Sequence, residues 1–160
     1  MNPEKMIIGC TRAGLILKKE IIAYLETKGF QIDDVGMKED GEFVPYHKAA
    51  AAVALGISEK RYNRGIAICG TGAGSVITAS KFKGVYPVHA TNTFMAEKAA
   101  AINNCNLLVF AEWLTPPQHA FSMIEAWLGT EFTSGVTDDW KKFLRNCVSE
   151  IKEMEDKQFR

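Results

Sequence analysis

Short apolar runs alternate along this chain with longer stretches in which apolar residues return every three or four positions. Met6 to Cys10 is a run of strand length. Ala13 to Lys28 follows as a helix, with Leu15, Ile16, Ile22 and Leu25 at helical spacing and Gly29 as its stop. Phe30 to Val35 predicts a second strand, and Gly36 to Glu42 a polar loop. Pro45 opens an alanine-rich helix to about Leu55. Gly65 to Cys69 is a third strand, broken by Gly70-Thr71-Gly72-Ala73-Gly74 before Ser75 to Lys81 resumes as helix. A strand at Val85 to His89, a helix at Asn92 to Ile102 and a strand at Asn106 to Phe110 come next. A helix from Pro116-Pro117 to about Leu128 closes the series.

Strands alternating with helices at this spacing imply βαβ units and a parallel sheet. Right-handed crossovers put helices on both of its faces. The expected fold is a doubly wound α/β domain over residues 1–135. It is a Rossmann-like three-layer α/β/α sandwich around a five-stranded parallel sheet. Residues 136–160 predict an extra C-terminal helix. Thr137 is placed to N-cap it, and Asp138 and Asp139 suit its first turn. Trp140, Phe143, Leu144, Cys147, Val148, Ile151 and Met154 then recur at helical spacing. This stripe must be buried on its own domain or on a partner subunit. Its apolar content favours the partner, in a homodimer or a dimer of dimers.

Composition narrows the function classes. A hydrophobic fraction of 47% supports a packed core and excludes wholesale disorder. No apolar run approaches the roughly 20 residues that span a bilayer, and no membrane partner is expected. The first residues lead straight into a strand-length run, without the pattern of a secretory signal. The 19 Lys and Arg balance 19 Asp and Glu, which argues against nucleic acid as a partner but leaves a local anion site open. Cys10, Cys69, Cys105 and Cys147 are widely spaced with no CxxC pair, so neither a metal site nor a disulfide framework is expected. Reduced thiols and a cytoplasmic location follow.

The chemistry concentrates at Ile68-Cys69-Gly70-Thr71-Gly72-Ala73-Gly74-Ser75. Glycines between a strand and a helix let successive backbone N–H groups converge on an anion. The turn falls at the carboxyl edge of a parallel sheet, where open α/β folds bind ligands. It is neither a Walker A loop nor a dinucleotide fingerprint, and on glycines alone a plain tight turn is an equal reading. Cys69 shifts the balance. A thiol held by backbone N–H dipoles is favoured as thiolate and can act as base or nucleophile. Cys105 and Cys147 fit better as small buried hydrophobes.

Ile-Cys-Gly-Thr-Gly-x-Gly after a third strand resembles the ribose-5-phosphate isomerase B and galactose-6-phosphate isomerase family. Gly9-Cys10-Thr11-Arg12-Ala13-Gly14 lies where the family has a Gly-x-Asp-His-x-Gly-like turn. Lys81 and Gly84 match its Asn-Lys-x-x-Gly, Asn103 and Asn106 its His-Asn-Asp-x-Asn, and Ala126 to Phe132 the end of its fifth helix. The resemblance implies aldose–ketose isomerisation of a sugar through an enediolate, with no cofactor and no metal. It makes Cys69 the proton-transfer base and Thr71 a hydrogen-bonding partner of the sugar. The N–H groups of Gly70, Gly72, Ala73, Gly74 and Ser75 become the anion-stabilising set. Asn103 enters the site from the neighbouring subunit.

The departures from the family are consistent. Its Asp-His pair is Thr11-Arg12 here, and its ring-opening histidine falls at Ile102. Its phosphate-gripping arginines fall at Trp113 and near Val136 and Trp140. A phosphate dianion needs cationic or multiple N–H partners, and a cyclic sugar needs an acid/base to open it. The expected substrate is therefore an open-chain or non-phosphorylated sugar or sugar acid. Arg12 pairs with its carboxylate or replaces part of the phosphate grip. The alternatives are an ordinary pentose- or hexose-phosphate isomerase, or a catalytically silent sugar-binding subunit of a hetero-oligomer. His89, Thr91 and Trp113 are further pocket candidates at strand ends. A core histidine and an interface tryptophan are the equal readings, while His47 and His119 read as surface residues.

Overall fold

The computed structural model describes residues 4–159. Strands β1 (Lys5–Cys10), β2 (Gln31–Asp34), β3 (Gly65–Cys69), β4 (Pro87–His89) and β5 (Leu107–Ala111) form one parallel sheet in the order β2-β1-β3-β5-β4. The helices are α1 (Leu15–Thr27), α2 (Tyr46–Ser58), α3 (Ala73–Ala79), α4 (Thr93–Asn103), α5 (Pro117–Leu128) and α6 (Asp138–Gln158). The expected α/β architecture is present, with boundaries moved by a few residues.

Period-two alternation in the strands separates the two sides of the sheet. Met6, Ile8 and Cys10 of β1, Ile66 and Ile68 of β3, and Leu108 and Phe110 of β5 face α1, α4 and α5. Ile7, Ala67, Leu107 and Val109 face α2 and α3. The central strands are therefore apolar on both faces, as buried parallel strands must be. Trp127 of α5 is fully buried, and its indole N–H donates to the Cys105 carbonyl at 2.9 Å.

Two local expectations change. The segment expected to start the first helix at Ala13 is a 3₁₀ turn, Arg12–Gly14, before α1 begins. A Cβ on Gly14 would lie 2.9 Å from the Ile68 carbonyl, so this turn packs tightly against β3. Thr137 precedes α6 in extended conformation, but its side chain makes no capping hydrogen bond. Asp138 takes part in the first turn instead, paired with Lys141 at 2.9 Å.

The strand order reverses between β1 and β3. From β1 the chain moves to one edge of the sheet, and from β3 it moves to the other. At such a switch point the loops diverge and leave a crevice at the carboxyl ends of the strands.

Candidate active site

Cys69 is the last residue of β3 and is buried at the floor of that crevice. The Gly72 N–H donates to its Sγ at 2.9 Å. Gly72 adopts φ +79, a left-handed conformation open mainly to glycine, as the chain turns from β3 into α3. Burial pushes Cys10 up to about 11 and Cys105 up to about 12, so both stay protonated and inert.

The three glycines of the turn each receive a ring. A Cβ on Gly70 would meet the Trp113 indole at 2.8 Å, one on Gly72 the His89 imidazole at 3.0 Å, and one on Gly74 the Tyr46 ring at 2.5 Å. Glycine is thus favoured at Gly72 by conformation, and a Cβ at Gly70 or Gly74 would force the facing ring to move. The turn after β5 is tied to the same strand end. Glu112 N–H donates to the Cys69 carbonyl at 2.9 Å and Trp113 N–H to the Gly70 carbonyl at 3.2 Å. Glu112 does not line the cleft over Cys69. Its carboxylate accepts from the Leu17 N–H at 2.9 Å, in the first turn of α1, where the helix dipole favours an anion.

The cleft over Cys69 has a volume of about 600 Å³. Cys69, Gly70, Thr71 and Gly74 form its floor, with Thr11 and Ala13 on one side and Trp113 on another. Phe43, Pro45, Tyr46 and His47 complete the wall from the segment leading into α2. His47 was expected on the surface; it is exposed and also lines the cleft. The informative signal was its place after β2, at the same sheet edge as the glycine turn.

The remaining expected site residues divide. Thr11 lines the cleft, but its hydroxyl donates to the Val44 carbonyl at 2.8 Å and so braces the wall. Arg12 is exposed beside the cleft without lining it. Gly72 reaches the site through its N–H, whereas Ala73 and Ser75 lie outside the lining, Ser75 buried. His89 is half-buried against Gly72, and Thr91 is exposed with its hydroxyl on Met95 Sδ at 3.6 Å; neither lines the cleft. Asn103 ends α4, which runs back from the carboxyl edge of the sheet, so it sits at the opposite edge from Cys69.

A second cavity gathers the departures noted in the sequence. Ile102, Val136 and Trp140 line it together with Leu144, in a volume of about 360 Å³. The positions where the resemblance expects a histidine and two arginines thus converge in space, and all three are apolar.

A buried cysteine in a glycine turn at a switch point of a parallel sheet marks an enzyme for a small ligand. The Ribose/Galactose Isomerase family model matches residues 6–142, and the chain belongs to that family. It is 35% identical to the 4-deoxy-4-sulfo-D-erythrose isomerase of a Clostridium species (strain MSTE9), over 98% of each chain. It is 35% identical to the ribose-5-P isomerase B of Listeria innocua, over 82% of this chain and 88% of that protein. The solved structure of Clostridium thermocellum ribose-5-phosphate isomerase B matches with a TM-score of 0.85 and 31% identity, covering 96% of this chain and 98% of that one. The protein is an aldose–ketose isomerase of this family.

Proposed function

We propose that the protein interconverts an open-chain, non-phosphorylated aldose and its ketose, with Cys69 as the proton-transfer base. The observation that carries this reading is the Cys69 Sγ at the cleft floor, 2.9 Å from the Gly72 N–H. The thiolate takes the proton from the carbon beside the aldehyde, leaving an enediolate. It returns that proton to the former carbonyl carbon, while the hydroxyl proton passes from one oxygen to the other. Electrons and atoms balance within the substrate. In this reading Thr71 and the N–H groups of Gly70 and Gly74, which line the cleft, hold the enediolate oxygens.

The substrate class rests on the cations that are missing. Trp113 lines the cleft over the thiol, and Ile102, Val136 and Trp140 line a separate apolar cavity at the far end of α4, which serves a cleft only through the pairing proposed below. None of them supplies the charge that a phosphate dianion needs. Ile102 cannot open a sugar ring. A four-carbon aldose whose terminal hydroxyl is replaced has no oxygen in position to close a five-membered ring, so it needs no ring opening. A 4-deoxy-4-sulfo tetrose meets this condition, and its sulfonate carries one charge where a phosphate carries close to two. The likeness to the sulfo-erythrose isomerase over 98% of both chains supports this choice.

We further propose that two copies assemble so that Asn103 of one reaches the cleft of the other, and that residues 136–160 brace this pairing. Four free cysteines support a reducing compartment, the cytoplasm. No helix among the described residues is long and apolar enough to cross a membrane.

The test is solvent exchange in heavy water, followed by NMR at the carbon beside the carbonyl. The substrates are 4-deoxy-4-sulfo-erythrose, erythrose 4-phosphate and ribose 5-phosphate. Exchange is expected to be fastest with the sulfo sugar and to fall by about 10³ in Cys69→Ala, the range of a lost general base. Undiminished exchange in Cys69→Ala removes the base assignment. Strong inhibition by low millimolar inorganic phosphate removes the substrate assignment.

A further inference from the structure

His89 is a chemically capable residue that the mechanism above leaves unused. It ends β4, where pairing of His89 with Val109 of β5 fixes its backbone. From that strand end its imidazole lies over Gly72. A Cβ on Gly72 would meet three atoms of the ring at 3.0–3.1 Å, so the ring presents its face to this glycine. Gly72 in turn carries the N–H that donates to Cys69 Sγ. A strand end, a ring, a glycine and a sulfur therefore make one unbroken series of contacts. His89 does not line the cleft; its ring reaches the site at Gly72.

The ring packs as a neutral disc. Burial lowers the pKa of the imidazole from its ordinary 6.5, with no charged side chain contributing. Glycine is the residue least able to hold its own φ and ψ. Gly72 caps α3 with φ +79 and has no side-chain capping bond to steady it. Its carbonyl accepts from the Val76 N–H at 3.2 Å and its N–H donates to Cys69 Sγ, so beyond these two bonds only the His89 ring packs where a side chain would be.

We propose that His89 is a positioning residue for the isomerisation: its ring holds Gly72 in the left-handed conformation and keeps the Gly72 N–H aimed at Cys69 Sγ. This rests on Cys69 being the base. The imidazole makes no proton transfer of its own, and a phenyl ring of similar size serves in its place.

The test uses the full chain with His89→Ala and His89→Phe. His89→Ala is expected to lower kcat by about tenfold to a hundredfold, the scale of a donor displaced by a fraction of an ångström, with KM within a factor of two. Iodoacetamide alkylation of Cys69 across pH, resolved from Cys147 by peptide mapping, is expected to need higher pH in His89→Ala than in wild type. His89→Phe is expected to restore both kcat and the alkylation profile. An unchanged kcat and profile in His89→Ala overturns the proposal, and so does a His89→Phe variant as slow as His89→Ala. A fall in kcat with an unmoved alkylation profile also overturns it, because loosened packing alone would give that result. Alkylation needs no substrate. Failure of Cys69 as base would therefore appear as exchange surviving in Cys69→Ala, with the alkylation difference intact.

Discussion

Gly72 and Gly29 both adopt positive φ, +79 and +86, but only Gly72 has a neighbour where a Cβ would be. Gly29→Ala therefore measures backbone strain alone, about 1–2 kcal/mol. Gly72→Ala adds displacement of the His89 ring and is expected to cost more in urea unfolding. It alone is expected to lose activity, since it alone holds the donor to Cys69. His89 also gives a pH dependence. Its imidazole is below 6.5 in the folded protein, so the unfolded chain binds more protons in that window. Its contribution is complete above about 6.5 and is lost as pH falls through the lowered folded value. Melting temperatures measured across mildly acidic pH should fall less steeply in His89→Phe than in wild type. At this scale Cys69 and the glycine turn were legible, because strand, thiol and glycines are contiguous in sequence. The rings of Tyr46 and His89 were not legible as partners of those glycines, because they arrive from α2 and β4.

The segment between β2 and α2 forms one wall of the cleft, and a buried cation anchors it. Lys18 of α1 is 3% exposed; its Nζ donates to Asp34 Oδ2 at 2.7 Å and to the Met37 carbonyl at 2.5 Å. Asp34 also pairs with Lys38 at 2.6 Å and accepts from the Gly36 N–H at 3.0 Å. Lys18→Met removes the buried half of this pair but leaves Asp34 with two partners. Its cost is expected near the lower end for a broken buried pair, about 3 kcal/mol by chemical denaturation. Because the anchored segment carries Phe43 and Tyr46 into the cleft, KM should rise with it. In the sequence, nothing marks Lys18 apart from its neighbour Lys19. Only the packing of α1 against β2 turns one lysine inward. Element types and order were legible because apolar period alone separates strand from helix. The side-chain anchor between elements has no period and left no such trace.

At the scale of the whole molecule, α6 leaves an apolar surface open. Leu144 and Val148 of α6 are buried, and the helix packs on α4. Trp140, Phe143, Ile151 and Met154 of the same helix are 57%, 54%, 42% and 56% exposed. A run of this size on one helix is an interface in search of a partner. The pairing proposed above would cover this surface with a second copy related by a two-fold axis, and would bring to each cleft the other's Asn103, which lies across the sheet from Cys69 in its own chain. Trp140→Glu combined with Phe143→Glu is therefore expected to shift sedimentation toward monomer. The fold should persist, because Leu144 and Val148 still hold α6. Activity should fall with the dimer and recover in part at high protein concentration, because assembly and completion of the cleft are one equilibrium. A monomeric variant that keeps full turnover at every concentration would instead place the whole site within one chain, with Asn103 outside it.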